Sequence, residues 1–145
     1  MSLRDLQKAG WLTEHESSRE EISALLALAD RDIKASQTPG LGPDWRLNIA
    51  YNAALQLATA ALAAGGFRAG RIAHHYRTIQ TLAFTIRADE ATVTELDAFR
   101  QKRNQTGYER AGAVSEQEAN EMLELARRLR SQVGQWLRDD HPGLV

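Results

Sequence analysis

Along most of this chain apolar residues recur at intervals of three and four, the period of a helix with one buried face. Between residues 13 and 35 they are Ile22, Leu25, Leu26, Ala29 and Ile33. Thr13 and Glu16 have the spacing of a capping box, which predicts the helix start there, and Glu14, Glu16, Glu20 and Glu21 lie at the positive end of its dipole. Thr38, Pro39, Gly40, Gly42 and Pro43 mark residues 36–43 as a loop. A second helix opens at Pro43 or Asp44 and runs through Trp45, Ile49, Tyr51, Leu55, Ala58 and Leu62 to Gly65-Gly66. It is apolar on nearly every side, which predicts a central position. Its alanines let neighbouring helices, or a second subunit, approach closely. Asn48 and Asn52 are polar positions on this helix and each requires hydrogen-bond partners.

After Gly70 a third helix is predicted, with Ile72, Tyr76, Ile79, Leu82, Ala83 and Ile86 on one face and Arg71, His74, His75 and Arg77 around the rest. Residues 89–94 form a connection, and Thr92 with Glu95 offers a capping box for the next helix. Ser115 and Glu118 offer another before a long last helix, buried along Met122, Leu125, Ala126, Leu129, Val133 and Trp136 and ended by Pro142. Leu3, Leu6 and Trp11 mark residues 1–12 as a short N-terminal extension, a brief helix or an apolar flap on the bundle end. No segment shows strand alternation, and no repeat or low-complexity tract interrupts the chain. The expected fold is one all-α domain over residues 1–145, an antiparallel bundle of four to five long helices.

The segment from Leu96 to Glu109 departs from simple amphipathicity. Leu96 and Phe99 share a face, and Arg103, four residues after Phe99, falls almost in line with them. A cation there is at the rim with its head in water, paired with a carboxylate, or kept for an anionic ligand, because burying it alone costs several kcal/mol. Gly107 is the natural helix end, and a turn there would bring Tyr108 back beside Arg103. Arg100 and Lys102 read as solvated charges.

Composition narrows the chemistry. The chain has 145 residues and no cysteine, which excludes disulfides, thiolate metal sites and thiol nucleophiles. The most apolar run, Ala53 to Ala64, is too short and alanine-rich to span a bilayer, and no signal-peptide pattern opens the chain, so a soluble, cytoplasmic protein without a membrane role is expected. Net charge is -1, which argues against a whole-surface grip on nucleic acid. From Gly65 to Arg110, however, seven arginines and one lysine face five acids, a local charge of +3. His74 and His75 form the single histidine pair; adjacent helical residues diverge by about 100°, so they do not chelate one metal, although either ring can approach Arg103. His15 and His141, near element ends, read as solvent-facing. No metal and no cofactor are expected.

Arg103-Asn104 followed by Tyr108, on the penultimate long helix of an all-helical chain of this length, resembles the HEPN superfamily. The resemblance covers roughly residues 13–137 in helix order and length as well as motif. It implies a helical bundle that dimerises with its motifs facing one another. It also implies an RNA or nucleotide ligand and, for many members, metal-independent ribonuclease activity, in some cases as toxins paired with a small nucleotidyltransferase. The family signature is arginine, often asparagine next, four to six residues, then histidine. Arg103 and Asn104 match, but Tyr108, Glu109 and Arg110 occupy the histidine positions. Arginine's planar fork suits phosphate, whereas a phenol with a reference pKa of about 10 is a poor proton acceptor. The expected site is therefore a phosphate or RNA contact at Arg103, Asn104 and Tyr108, with His74, His75 and Arg100 as auxiliaries, and weak or absent turnover. The alternative is a non-enzymatic module that holds a protein partner such as a nucleotidyltransferase, motivated by the excess apolar surface of the second helix.

Overall fold

The computed structural model describes residues 1–106 and 113–145. Six helices and one two-stranded ribbon follow in the order α1 (Leu3–Lys8), β1 (Leu12–Glu14), α2 (Arg19–Ala35), α3 (Pro43–Ala64), β2 (Phe67–Ala69), α4 (His74–Gln80), α5 (Glu90–Thr106) and α6 (Glu116–Asp140). Short 3-10 turns cover Thr81–Ala83 and Pro142–Leu144. The described chain is mainly helical, as its periodicity predicts.

The centre is α3. Its alanines and most of its leucines are buried, with Leu47, Ala50, Tyr51, Ala53, Ala54, Leu57 and Ala61 at 0 % exposure, while Asn52, Leu55 and Thr59 along one side are half-buried. Small side chains bring α2 and α6 close on two sides, and α6 contributes Met122, Leu125, Ala126, Leu129, Val133 and Leu137. α3 runs antiparallel to α2: Arg46 Nε donates to the Ser36 carbonyl at 3.3 Å, and further along Gln56 Nε2 donates to Asp32 Oδ2 at 3.2 Å. The Arg46 guanidinium also donates to Glu116 at 2.7 Å and Asn120 at 2.6 Å, so α3 and α6 begin at the same end of the bundle. Arg130 closes the other seam by pairing with Asp30 of α2 at 2.7 Å.

Several local expectations are corrected. The first long helix starts at Arg19, capped by Ser18, whose hydroxyl accepts from the Glu21 amide at 3.1 Å. The stretch read as its capping box is extended instead, with Leu12, Thr13 and Glu14 pairing antiparallel with Ala69, Arg68 and Phe67. Leu12 is buried and Thr13 and Glu14 are exposed, so three residues suffice to hide one side chain, too few for a visible alternation. β1 and β2 meet α1 in a second, smaller core of Leu6, Leu12, Leu62, Phe67 and Ala69. The N-terminal extension is thus packed onto the end of α3. His15 is half-buried and hydrogen-bonded to Glu21 at 2.8 Å, and His141 packs edge-on against Trp136 with ring centroids 4.6 Å apart. Asp89, rather than Thr92, caps α5, accepting from the Thr92 amide at 2.8 Å. The Ser115–Glu118 capping box forms as expected, with both of its hydrogen bonds at 3.0 Å.

The third helix is also shorter than its periodicity suggests. Ala73 takes a left-handed conformation, φ 49°, which stops helical propagation before it, and α4 begins at His74. Ile79 and Leu82 are buried as read, but Ile72 stands outside the helix at 75 % exposure and Tyr76 is 37 % exposed. Of the apolar surface attributed to the second helix, Trp45 at its start is 63 % exposed, and Ile49 and Leu55 further along are half-buried.

Candidate functional site

α5 buries Leu96 and Phe99 against the core, and this register sets Arg103 one turn further along the same face. Its half-buried guanidinium lies over the ring of Tyr51 on α3, 5.2 Å from the centroid, so the cation sits on the negative face of an aromatic quadrupole. Tyr51 is the largest side chain fully inside the core, and its hydroxyl needs a polar neighbour. His75 of α4 supplies one, with Nδ1 3.4 Å from the Tyr51 oxygen and the two rings 6.1 Å apart. Three helices therefore converge on one phenol, and the auxiliary residue His75 is brought beside Arg103.

His74 is placed differently. It is exposed, and its Nδ1 donates to the Gly70 carbonyl at 3.0 Å. The left-handed Ala73 immediately before it fixes where both imidazoles emerge. Asn104 is exposed in the last turn of α5, next to Arg103 in sequence but about 100° around the helix. Tyr108 and the turn expected at Gly107 lie outside the described residues.

Arg100 is not a solvated charge as read. It is half-buried, donates from Nε to Asp97 at 2.7 Å, and lies over the Tyr76 ring at 5.5 Å. Lys102 likewise pairs with Glu118 at 3.3 Å, joining α5 to the start of α6. Asn48 is partly buried, and its Oδ1 has no hydrogen-bond partner among the described residues.

The electrostatics follow from burial beside cations. Burial raises the Tyr51 phenol to about 12 despite the lowering fields of Arg103 and Arg100, so it remains a protonated donor across the neutral range. Burial, with the charges of Arg103, His74 and Arg100, holds His75 below the usual imidazole range. At neutral pH His75 is then an uncharged ring with one donor and one acceptor nitrogen. The hydrogen bond to Asp97 holds Arg100 even more firmly protonated. Chemically, the arrangement offers a ring-held guanidinium and a neutral imidazole side by side. Among the described residues, no group of three histidine, aspartate or glutamate side chains could hold a metal ion.

Sequence reasoning singled out Arg103, Asn104, His75 and Arg100 but missed Tyr51, Tyr76 and Trp11. For Tyr51 a signal existed: a phenol hydroxyl on a helix predicted to be central must find a partner. Trp11 and Tyr76 fall among the apolar positions of the sequence pattern, and nothing in that pattern sets them apart.

Comparison of the chain with protein-family models, with curated proteins and with solved structures finds no match. Fold and site together define the class of the molecule: a mainly helical bundle whose central, motif and fourth helices converge on a cationic and aromatic cluster.

Proposed function

We propose that this chain is a HEPN-like domain that binds RNA or a nucleotide through its phosphate, with Arg103 as the phosphate contact. The observation that carries this reading is the Arg103 guanidinium seated on the Tyr51 ring at 5.2 Å with His75 on the same phenol. A ring-held guanidinium keeps its in-plane donors oriented for oxyanions, at a lower entropy cost than a freely rotating arginine. The local positive charge between Gly65 and Arg110 adds to the pull on an anion. Asn104 contributes an exposed amide for the ribose or phosphate, and Tyr108 completes the motif by bonding or stacking. Dimerisation, in this reading, goes through the motif helix α5 or the alanine-rich α3. The setting is cytoplasmic, as for a toxin–antitoxin-type RNA-acting protein.

The test is RNA binding at low salt by wild type and Arg103→Ala. Loss of a charge-assisted phosphate contact is expected to weaken binding by about tenfold or more. Equal affinity for both proteins, or none for either, rejects the assignment.

A second reading, metal-independent cleavage of RNA, is favoured by His75. Cleavage by the RNA's own 2'-hydroxyl needs an acceptor for that proton and a donor to the leaving 5'-oxygen; a neutral imidazole can serve as the acceptor, and the imidazolium so formed then passes the proton to the leaving oxygen. Cleavage without metal by wild type, lost in His75→Ala and Arg103→Ala and retained in His74→Ala, would establish this reading over binding alone. The third reading is a module holding a nucleotidyltransferase-like protein, for which the exposed Trp45 at the start of α3 offers apolar surface.

A further inference from the structure

Beside Arg103 the surface continues as an alternation of arginine and aromatic rings. Arg100 lies on Tyr76, Tyr76 meets Trp11 edge-on at 6.1 Å and 62°, and Arg77 lies on Trp11 at 5.0 Å. These groups come from three places in the chain: the turn between α1 and β1, α4, and α5. The turn is fixed at Trp11, whose amide donates to the Leu6 carbonyl at 3.0 Å and whose carbonyl accepts from the Gly70 amide at 3.1 Å.

Two features separate this strip from ordinary packing. First, Tyr76 and Ile72, four residues apart, are two of the large apolar side chains left exposed, whereas Ile79 and Leu82 nearby are fully buried. Second, the cations differ in their compensation. Arg100 has the Asp97 carboxylate at 2.7 Å, while Arg77 has no carboxylate partner among the described residues and is steadied by the Trp11 ring instead. An aromatic ring at the surface next to a guanidinium held on a second ring suits a base with its adjoining phosphate. The base must be unpaired, because a duplex already covers both faces of each base.

We propose that Tyr76 and Arg77, braced by Trp11, form a second contact for single-stranded RNA: Tyr76 stacks an unpaired base and Arg77 takes a neighbouring phosphate. This rests on the reading of Arg103 as the first phosphate contact, and it narrows the ligand to a single strand running from α5 across α4.

The experiment measures binding at low salt of a short oligoadenylate, an abasic ribose-phosphate oligomer of equal length, and a blunt RNA duplex. Wild type should prefer the oligoadenylate over the abasic strand by about tenfold, the size of one base–aromatic stack, and should bind the duplex less tightly than the single strand. Tyr76→Ala should erase the preference while keeping abasic binding, and Tyr76→Phe should retain it. Tyr76→Leu, which preserves apolar volume, should lose it, separating stacking from damage to the fold. Arg77→Ala should weaken both single strands. The proposal is overturned if Tyr76→Leu keeps the preference, if wild type has none, or if the duplex binds as tightly as the single strand. Arg103→Ala should weaken both single strands yet leave the preference intact; unchanged binding there would reject the Arg103 reading alone, since stacking is judged by the Tyr76 variants.

Discussion

Tyr51 shows how one side chain can belong to the core and to the surface chemistry at once. Its ring fills space under α5 and carries Arg103, while its hydroxyl meets His75. The imidazole depends on that position for its low proton affinity, and the dependence has a sign that can be checked. His75 titrates lower in the folded state than in the unfolded chain, where the ordinary value is 6.5. At acidic pH the unfolded state therefore binds more protons, and stability must fall as pH drops through the usual histidine range. Above that range the contribution is fully present. Unfolding midpoints measured from pH 7 to pH 5 should decline less steeply for His75→Gln than for wild type. Equal slopes would mean that burial and the nearby cations do not act on this ring.

At the scale of elements, α4 is the piece whose placement matters most for the site and whose limits were hardest to read. The periodicity of Ile72, Ile79, Leu82 and Ile86 is continuous through residue 73, so pattern alone carries the helix past its real start. A left-handed alanine leaves no trace in a hydrophobic pattern, since Ala is the residue most at home in a helix. The long helices were legible because their stripes are long: α3 through its alanines, α6 through Met122 to Val133, α5 through Leu96 and Phe99. β1 and β2 were not, because pairing between Leu12 and Ala69 is set by contacts far apart in the chain. For the site the division is similar. Arg103 and His75 stood out as charges or imidazoles on helices, whereas their meeting over Tyr51 depends on how three helices pack. The left-handed Ala73 gives a direct test: a non-glycine residue in this region costs roughly 1–2 kcal/mol, and glycine forfeits about 0.4–1 kcal/mol through the unfolded chain. Ala73→Gly should thus raise stability by about 0.5–1 kcal/mol in denaturant titration. A loss of stability would show that the alanine methyl contributes more than the strain it incurs.

The whole molecule stands on two cores of unequal size. The larger joins α2, α3, α5 and α6, and it holds Tyr51 in place; the smaller has Leu6, Leu12, Leu62, Phe67 and Ala69 under α1 and the ribbon, with Trp11 packed on its edge. Opening the smaller one exposes far less apolar surface than opening the larger, so it should cost less free energy. Native-state hydrogen exchange should find the amides of α1 and the Leu12–Ala69 pairing exchanging at lower protection than those of α3 and α6. Uniform protection would tie the ribbon into a single cooperative unit with the bundle. If the two units do part, the molecule has a built-in attenuator: each brief release of the ribbon carries Trp11 away from Tyr76 and Arg77. A ligand that needs all three would then see only the closed fraction of molecules, and any change that tightens Leu6 or Phe67 would sharpen its apparent affinity without touching it.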